Sequence, residues 1–444
     1  MSLKLRLTIM SFLQFAVWGA YLTSMGNYLA SIGLAPKIGL FYAMQGIVSI
    51  FMPAVMGIIA DRWIPAQRLL GYCHGLGAIF IIAAGYYGYS TGESAEFSTL
   101  FLLYSLSVAF FMPTIALSNS VAYTVLTNNN YDTIKAFPPI RTLGTVGFIC
   151  AMLFVNFAGF KDGVFMLNFG SDENFFSFQN GFEQFYVSGV LGIILFLFSF
   201  LLPNCEVNKS EGKISMSDAL GLKAFALFKQ RKMAIFFIFS MLLGVSLQIT
   251  NGYANPFISS FNEMPEYLNS WGANNANALI SLSQVSETLC ILLIPFFLKK
   301  FGIKKVMLLA MLAWVLRFGL FAVGNPGTGV WMFVVSMIVY GIAFDFFNVS
   351  GSLFVDKETD KKLRSSAQGV FMMMTNGFGA TIGMIAAQYV VNHYVYSHTD
   401  VVQQLEGWRT SWFIFAGYAL VVTILFAILF KYKHNPKDVE NISH

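Results

Sequence analysis

Two carboxylic acids stand inside stretches that are otherwise apolar: Glu287 within residues 278–298 and Asp345 within 331–353. An ionised side chain near the centre of a bilayer costs roughly 2.5 to 3.5 kcal/mol even on lenient insertion scales, so acids placed there face water, a ligand or a partner, and are suited to carrying a proton. The residues around them fit recognition rather than bond making. At about 100° per residue on a helix, Gln284 shares a face with Glu287, Asn348 shares one with Asp345, and Gln248, Asn251 and Asn255 fall within one arc. Tyr340, Phe344 and Phe347 are close by in sequence. Upstream, Arg141, Thr145 and Phe148 are spaced i, i+4, i+7 after a break expected at Pro138-Pro139, and Gln14 pairs with Trp18; these are candidates for an opposite wall. Amides match the donor and acceptor edge of a heterocycle, rings can stack on it, and carboxylates accept hydrogen bonds from hydroxyls. Such a set suits a neutral, flat, hydroxyl-rich ligand, either a nucleoside or a sugar.

Most of these residues also have a plainer use. Amides in membrane helices join neighbouring helices, Arg141 and Arg317 are long enough to snorkel to an interface, and Phe344 and Phe347 are packing residues on base rates. The acids differ, because a purely structural role would still require a bound proton or a buried cation.

The elements that must carry these residues are membrane helices. Of the 444 residues 56% are hydrophobic and only 11% are charged, with a mean hydropathy of +0.64, whereas a soluble domain carries about a quarter charged residues. Runs close to the ~20 residues that span hydrocarbon fall at about 7–30, 38–60, 69–92, 98–127, 139–160, 184–204, 233–258, 273–298, 305–324, 329–354, 366–392 and 408–430. Runs of this length suit helices rather than barrel strands of about ten residues. The fold class is therefore an all-α membrane protein of twelve transmembrane helices. Placing both termini in the cytoplasm puts 22 of the 27 Lys and Arg on the cytoplasmic side and leaves only Lys37, Lys161 and Arg409 opposite, as the positive-inside rule requires. The basic start runs into a span too long for a signal-peptide core. The net charge of +5 thus reflects topology and anionic headgroups rather than nucleic-acid binding. The four cysteines have no metal-ligand spacing. The five histidines fall near helix ends, in loops or in the tail, and none reads as a buried base. No cofactor and no enzymatic centre is expected.

The longest polar stretch divides the chain into a six-helix half at 1–203, a linker at 204–232, a second six-helix half at 233–430 and a tail at 431–444. Parallel halves of this kind resemble the major facilitator superfamily. Gly57-Ile-Ile-Ala-Asp61-Arg62 resembles the first part of that superfamily's loop signature, and Lys300-Phe-Gly302-Ile-Lys304-Lys305 the second; Asp61 and Arg62 are candidate gating residues. Longer segments resemble the nucleoside:H+ symporter family within that superfamily: Ser11-Phe-Leu-Gln-Phe15, residues 137–148, Leu247-Gln-Ile-Thr-Asn251, Ser283-Gln-Val-Ser-Glu-Thr288, residues 340–351 and residues 366–376. That resemblance implies a nucleoside cavity including Arg141, Thr145, Phe148, Gln248, Asn251, Gln284, Glu287, Tyr340, Phe344 and Asp345. It also implies proton coupling through Glu287 or Asp345, alternating access, a bacterial inner-membrane location and a monomer in lipid. A sugar/H+ symporter of the same fold and a non-transporting nutrient sensor are the alternatives.

Overall fold

The computed structural model describes residues 1–172, 174–205, 222–360 and 363–432. Most of the expected linker and tail lies outside the described residues. The chain forms two compact units, Met1–Ala219 and Leu220–His444.

The first unit holds α1 (Leu3–Gly19), α2 (Met25–Ser31), α3 (Ile38–Arg62), α4 (Ala66–Thr91), α5 (Phe97–Asn128), α6 (Thr133–Phe157) and α7 (Glu183–Ser199). The second holds α8 (Arg231–Leu247), α9 (Ile249–Ser260), α10 (Ala276–Cys290), α11 (Ile294–Val323), α12 (Val330–Glu358), α13 (Arg364–Met372), α14 (Ala380–Val391) and α15 (Val401–Leu429), with π-helical turns at Met373–Gly379 and Asn392–Tyr396. Nine helical stretches among the described residues are long and apolar enough to cross a bilayer. One of them, Ala276–Val323, contains two crossings that reverse at Gly302, whose φ of 76° is open to glycine and strained for other residues. The interrupted pair α1–α2 and the shorter α7 complete the twelve.

Boundaries differ from the sequence expectation in two instructive places. The segment through Pro138-Pro139 is not a break, because α6 begins at Thr133 and runs through both prolines. Phe137 stacks on Tyr123 of α5 at 4.3 Å between ring centroids, which holds that turn in place. Conversely, the seventh crossing is divided at Gln248, where α8 ends and α9 begins.

In the first unit, backbone-to-backbone contact fixes α1 against α6. A Cβ on Gly147 would lie 2.1 Å from the Phe12 carbonyl oxygen, and one on Gly19 would lie 2.3 Å from that of Phe148. Between α6 and α7 the chain forms a small antiparallel sheet in the order β2-β1-β3, with β1 Ala158–Lys161, β2 Val164–Leu167 and β3 Phe176–Ser177. Lys161 Nζ meets Asp172 Oδ2 at 2.5 Å across this loop; their mutual hydrogen bond raises the lysine's pKa and lowers the aspartate's.

Candidate functional site

In the second unit, α10 and α12 bring the two acids into one neighbourhood. Gly341 has no room for a side chain, since a Cβ there would lie 2.6 Å from the Ser286 carbonyl oxygen, and Ser286 Oγ donates across the seam to the Ile338 carbonyl. This contact sets Glu287, half-buried on α10, beside Tyr340 and Asp345 on α12, each only 6% exposed. Both carboxyls and the Arg317 guanidinium act electrostatically on the Tyr340 hydroxyl. Phe344 stacks on Tyr340, with centroids 5.7 Å apart and planes 13° from parallel, so one helical turn presents an aromatic ledge next to the acids. Gln284, 8% exposed, keeps a buried side-chain Oε1 that finds no hydrogen-bond partner among the described residues. A buried acceptor left open in this way costs about 1–3 kcal/mol, which a ligand donor would recover.

The three amides of the seventh crossing separate into two roles. Gln248 and Asn251 bond one another, Asn251 Nδ2 donating to Gln248 Oε1 at 2.8 Å beside the break between α8 and α9. Asn255 is fully buried; its Nδ2 donates to Asn277 Oδ1 at 3.3 Å and its Oδ1 accepts from Ser259 at 3.0 Å. It joins helices, which its sequence spacing alone did not reveal. Asn348 Nδ2 returns to the Phe344 carbonyl at 3.1 Å.

In the first unit, the glycine seam between α1 and α6 assembles Arg141, Thr145 and Phe148 with Phe15 and Trp18. The Arg141 guanidinium lies 3.9 Å from the Phe15 ring centroid and reaches Thr145 Oγ1 at 3.4 Å, while Phe148 meets Trp18 edge-on at 6.1 Å. Arg141 is therefore held over a ring rather than extended toward an interface. The Trp18 indole N–H is buried without a partner among the described residues, a second open group beside this cluster.

Gln14 and His74 depart from expectation. Gln14 is fully buried and His74 is 2% exposed, and their hydrogen bonds determine one another. Thr114 Oγ1 donates to the Phe111 carbonyl, so it must accept from Gln14 Nε2 at 2.8 Å. Gln14 Oε1 is then the acceptor, and His74 Nε2 must carry the proton in their 2.7 Å contact. This buried histidine was missed because it stands only two turns inside α4, a position that reads as peripheral.

Arg317 was the other residue misread. It is 2% exposed and does not snorkel: Nη1 donates to the Ser336 carbonyl at 2.8 Å and to Ser283 Oγ at 3.3 Å, and Cζ lies 4.5 Å from the Tyr340 ring centroid. Its place in a strongly apolar run was the available signal. Asp61 is exposed and Arg62 half-buried in the last turn of α3. Of the cysteines, Cys73, Cys205 and Cys290 are buried and Cys150 is exposed, and all are free thiols. At the end of the first unit the Cys205 backbone N–H donates to Gln67 Oε1 at 3.0 Å, and burial pushes the Cys205 thiol up to about 11.

Twelve apolar crossings with acids, amides and rings gathered on interior helix faces define a polytopic membrane carrier of the major facilitator fold. The chain belongs to the nucleoside H+ symporter family, whose description matches residues 1–435. It is 44% identical to the nucleoside permease NupG of Escherichia coli over the whole of both chains, and 42% identical to the xanthosine permease of that organism over 99% of each. A crystal structure of the nucleoside transporter NupG superimposes with a TM-score of 0.84 at 44% identity, covering 98% of this chain and 100% of that one.

Proposed function

We propose that this protein imports nucleosides with protons across a bacterial cytoplasmic membrane by alternating access, as a monomer with both termini in the cytoplasm. The observation that carries this reading is the cluster of Glu287, Asp345 and Tyr340, two acids gathered inside a membrane helix pair beside an aromatic ledge. The family and its curated relatives supply the substrate class. In the second unit, Tyr340 and Phe344 form a stacking surface, Gln284, Gln248 and Asn251 read the base edge, and the acids accept from ribose hydroxyls; in the first unit, Arg141, Thr145 and Phe148 are the ligand-contacting residues. Asp61 and Arg62 bias the access state at the end of α3.

Closing a cavity around an uncompensated charge is costly, so proton binding at Glu287 or Asp345 permits the loaded carrier to reorient. A proton entering down about 100 mV supplies about 2.3 kcal/mol, enough for roughly fifty-fold accumulation at about 1.4 kcal/mol per tenfold. The test is labelled uridine uptake into vesicles with and without an imposed proton gradient, for the native protein and for Glu287→Gln and Asp345→Asn. Gradient-driven accumulation should be lost in at least one variant. Normal accumulation by both would remove the acids from the coupling step.

A further inference from the structure

Arg317 is a guanidinium buried in the middle of a membrane helix bundle, and among the described residues no carboxylate lies within ion-pair distance of it. Arginine stays charged in proteins, and an uncompensated buried cation is costly. Yet the fold holds it firmly. Besides its bonds to the Ser336 carbonyl and to Ser283, its own carbonyl accepts from Ser336 Oγ at 3.0 Å, so α11 and α12 clasp one another at this point. Its Nε has no partner among the described residues. The charge lies 4.5 Å from the Tyr340 ring centroid, and the seam of Gly341 against Ser286 sets Glu287 in the neighbourhood of Tyr340 and Asp345. Cys290 is a further titratable group at this seam, since a Cβ on Gly341 would lie 2.8 Å from its Sγ. The face of α15 packed on α11 presents Trp412 and Phe415 to Phe318 and Phe321.

We propose that Arg317 is a positioning residue for proton coupling, a fixed internal cation packed on Tyr340 that balances one ionised carboxyl of the Glu287–Asp345 pair, so that a single proton neutralises the site. With both acids ionised the trio carries one net negative charge, and one proton brings it to zero; without the arginine, two protons are needed. The proposal rests on the assignment of those acids to proton coupling.

Two measurements in proteoliposomes test it. The native protein should move one proton per uridine, read from the membrane potential at which net uridine flux reverses; two protons per uridine would overturn the proposal. In Arg317→Gln the alkaline limb of proton-driven uridine uptake should move upward by about one pH unit, the scale on which a nearby opposite charge acts, because the acids retain their protons to higher pH when the cation is gone. Arg317→Lys, which keeps the charge and loses the forked hydrogen bonds, should retain the native midpoint. A structural staple alone would lower the amount of active protein in both variants and leave both midpoints unmoved, and that result would overturn the proposal, as would a shift in Arg317→Lys equal to that in Arg317→Gln. If Glu287→Gln and Asp345→Asn both keep normal accumulation, the underlying acid assignment fails; if either loses it while Arg317→Gln keeps the native midpoint, the arginine's role alone fails.

Discussion

Gln14, Thr114 and His74 form a hydrogen-bond chain whose every donor is fixed by its neighbour, buried where no solvent competes. Removing one member strands another, and a buried polar group without its partner costs about 1–3 kcal/mol, while removing both partners together can be nearly neutral. Gln14→Leu and His74→Leu should each lower the thermal midpoint of the purified protein, and the double variant should be more stable than the sum of the two losses. Strict additivity in a double-mutant cycle would show that the chain is not a unit. The same logic separates the amides of the second unit. Asn255 spends its hydrogen bonds on Asn277 and Ser259, whereas Gln284 keeps an acceptor open, and only the latter has capacity for cargo. The candidate residues themselves were legible from type and spacing. Their allocation between ligand and neighbour was not, because a hydrogen-bond partner lies on another helix that sequence spacing does not locate.

Helix contact in lipid depends on close packing, since the surroundings are as apolar as the side chains. The seam between α1 and α6 is therefore built on glycine, and Arg141, Thr145 and Phe148 reach Phe15 and Trp18 because of it. Gly147→Leu would drive a side chain into the Phe12 carbonyl and should abolish the monodisperse folded species in size-exclusion chromatography. Gly417→Leu, at a position where a Cβ meets nothing within 4 Å, should leave it intact. Equal behaviour of the two would show that the seam is not what holds this wall. At this scale the hydropathy pattern located the crossings well and their interruptions poorly. The break at Gln248 and the passage through Pro138-Pro139 depend on what packs beside the chain, such as Tyr123 against Phe137, and an apolar run reads the same whether or not its helix is continuous.

Across the whole molecule, the distribution of Lys and Arg predicts both termini in the cytoplasm. A green fluorescent protein fused after His444 should fluoresce and an alkaline phosphatase fused there should be inactive; the opposite pair of results would reverse the orientation. The amino-acid sequence by itself determined the membrane setting, the number of crossings and the acids, because each of these follows from which residue types a bilayer tolerates and how far apart they stand along one helix; the family came from the resemblance of whole segments such as residues 137–148 and 340–351. Only the tertiary structure decided that Glu287, Tyr340 and Asp345 share a neighbourhood, that Arg317 is packed on Tyr340 as a clasped internal cation, and that His74 is buried against Gln14. These are contacts between different helices, and they are set by glycine seams and cross-helix hydrogen bonds, which leave no periodic trace in any single helix.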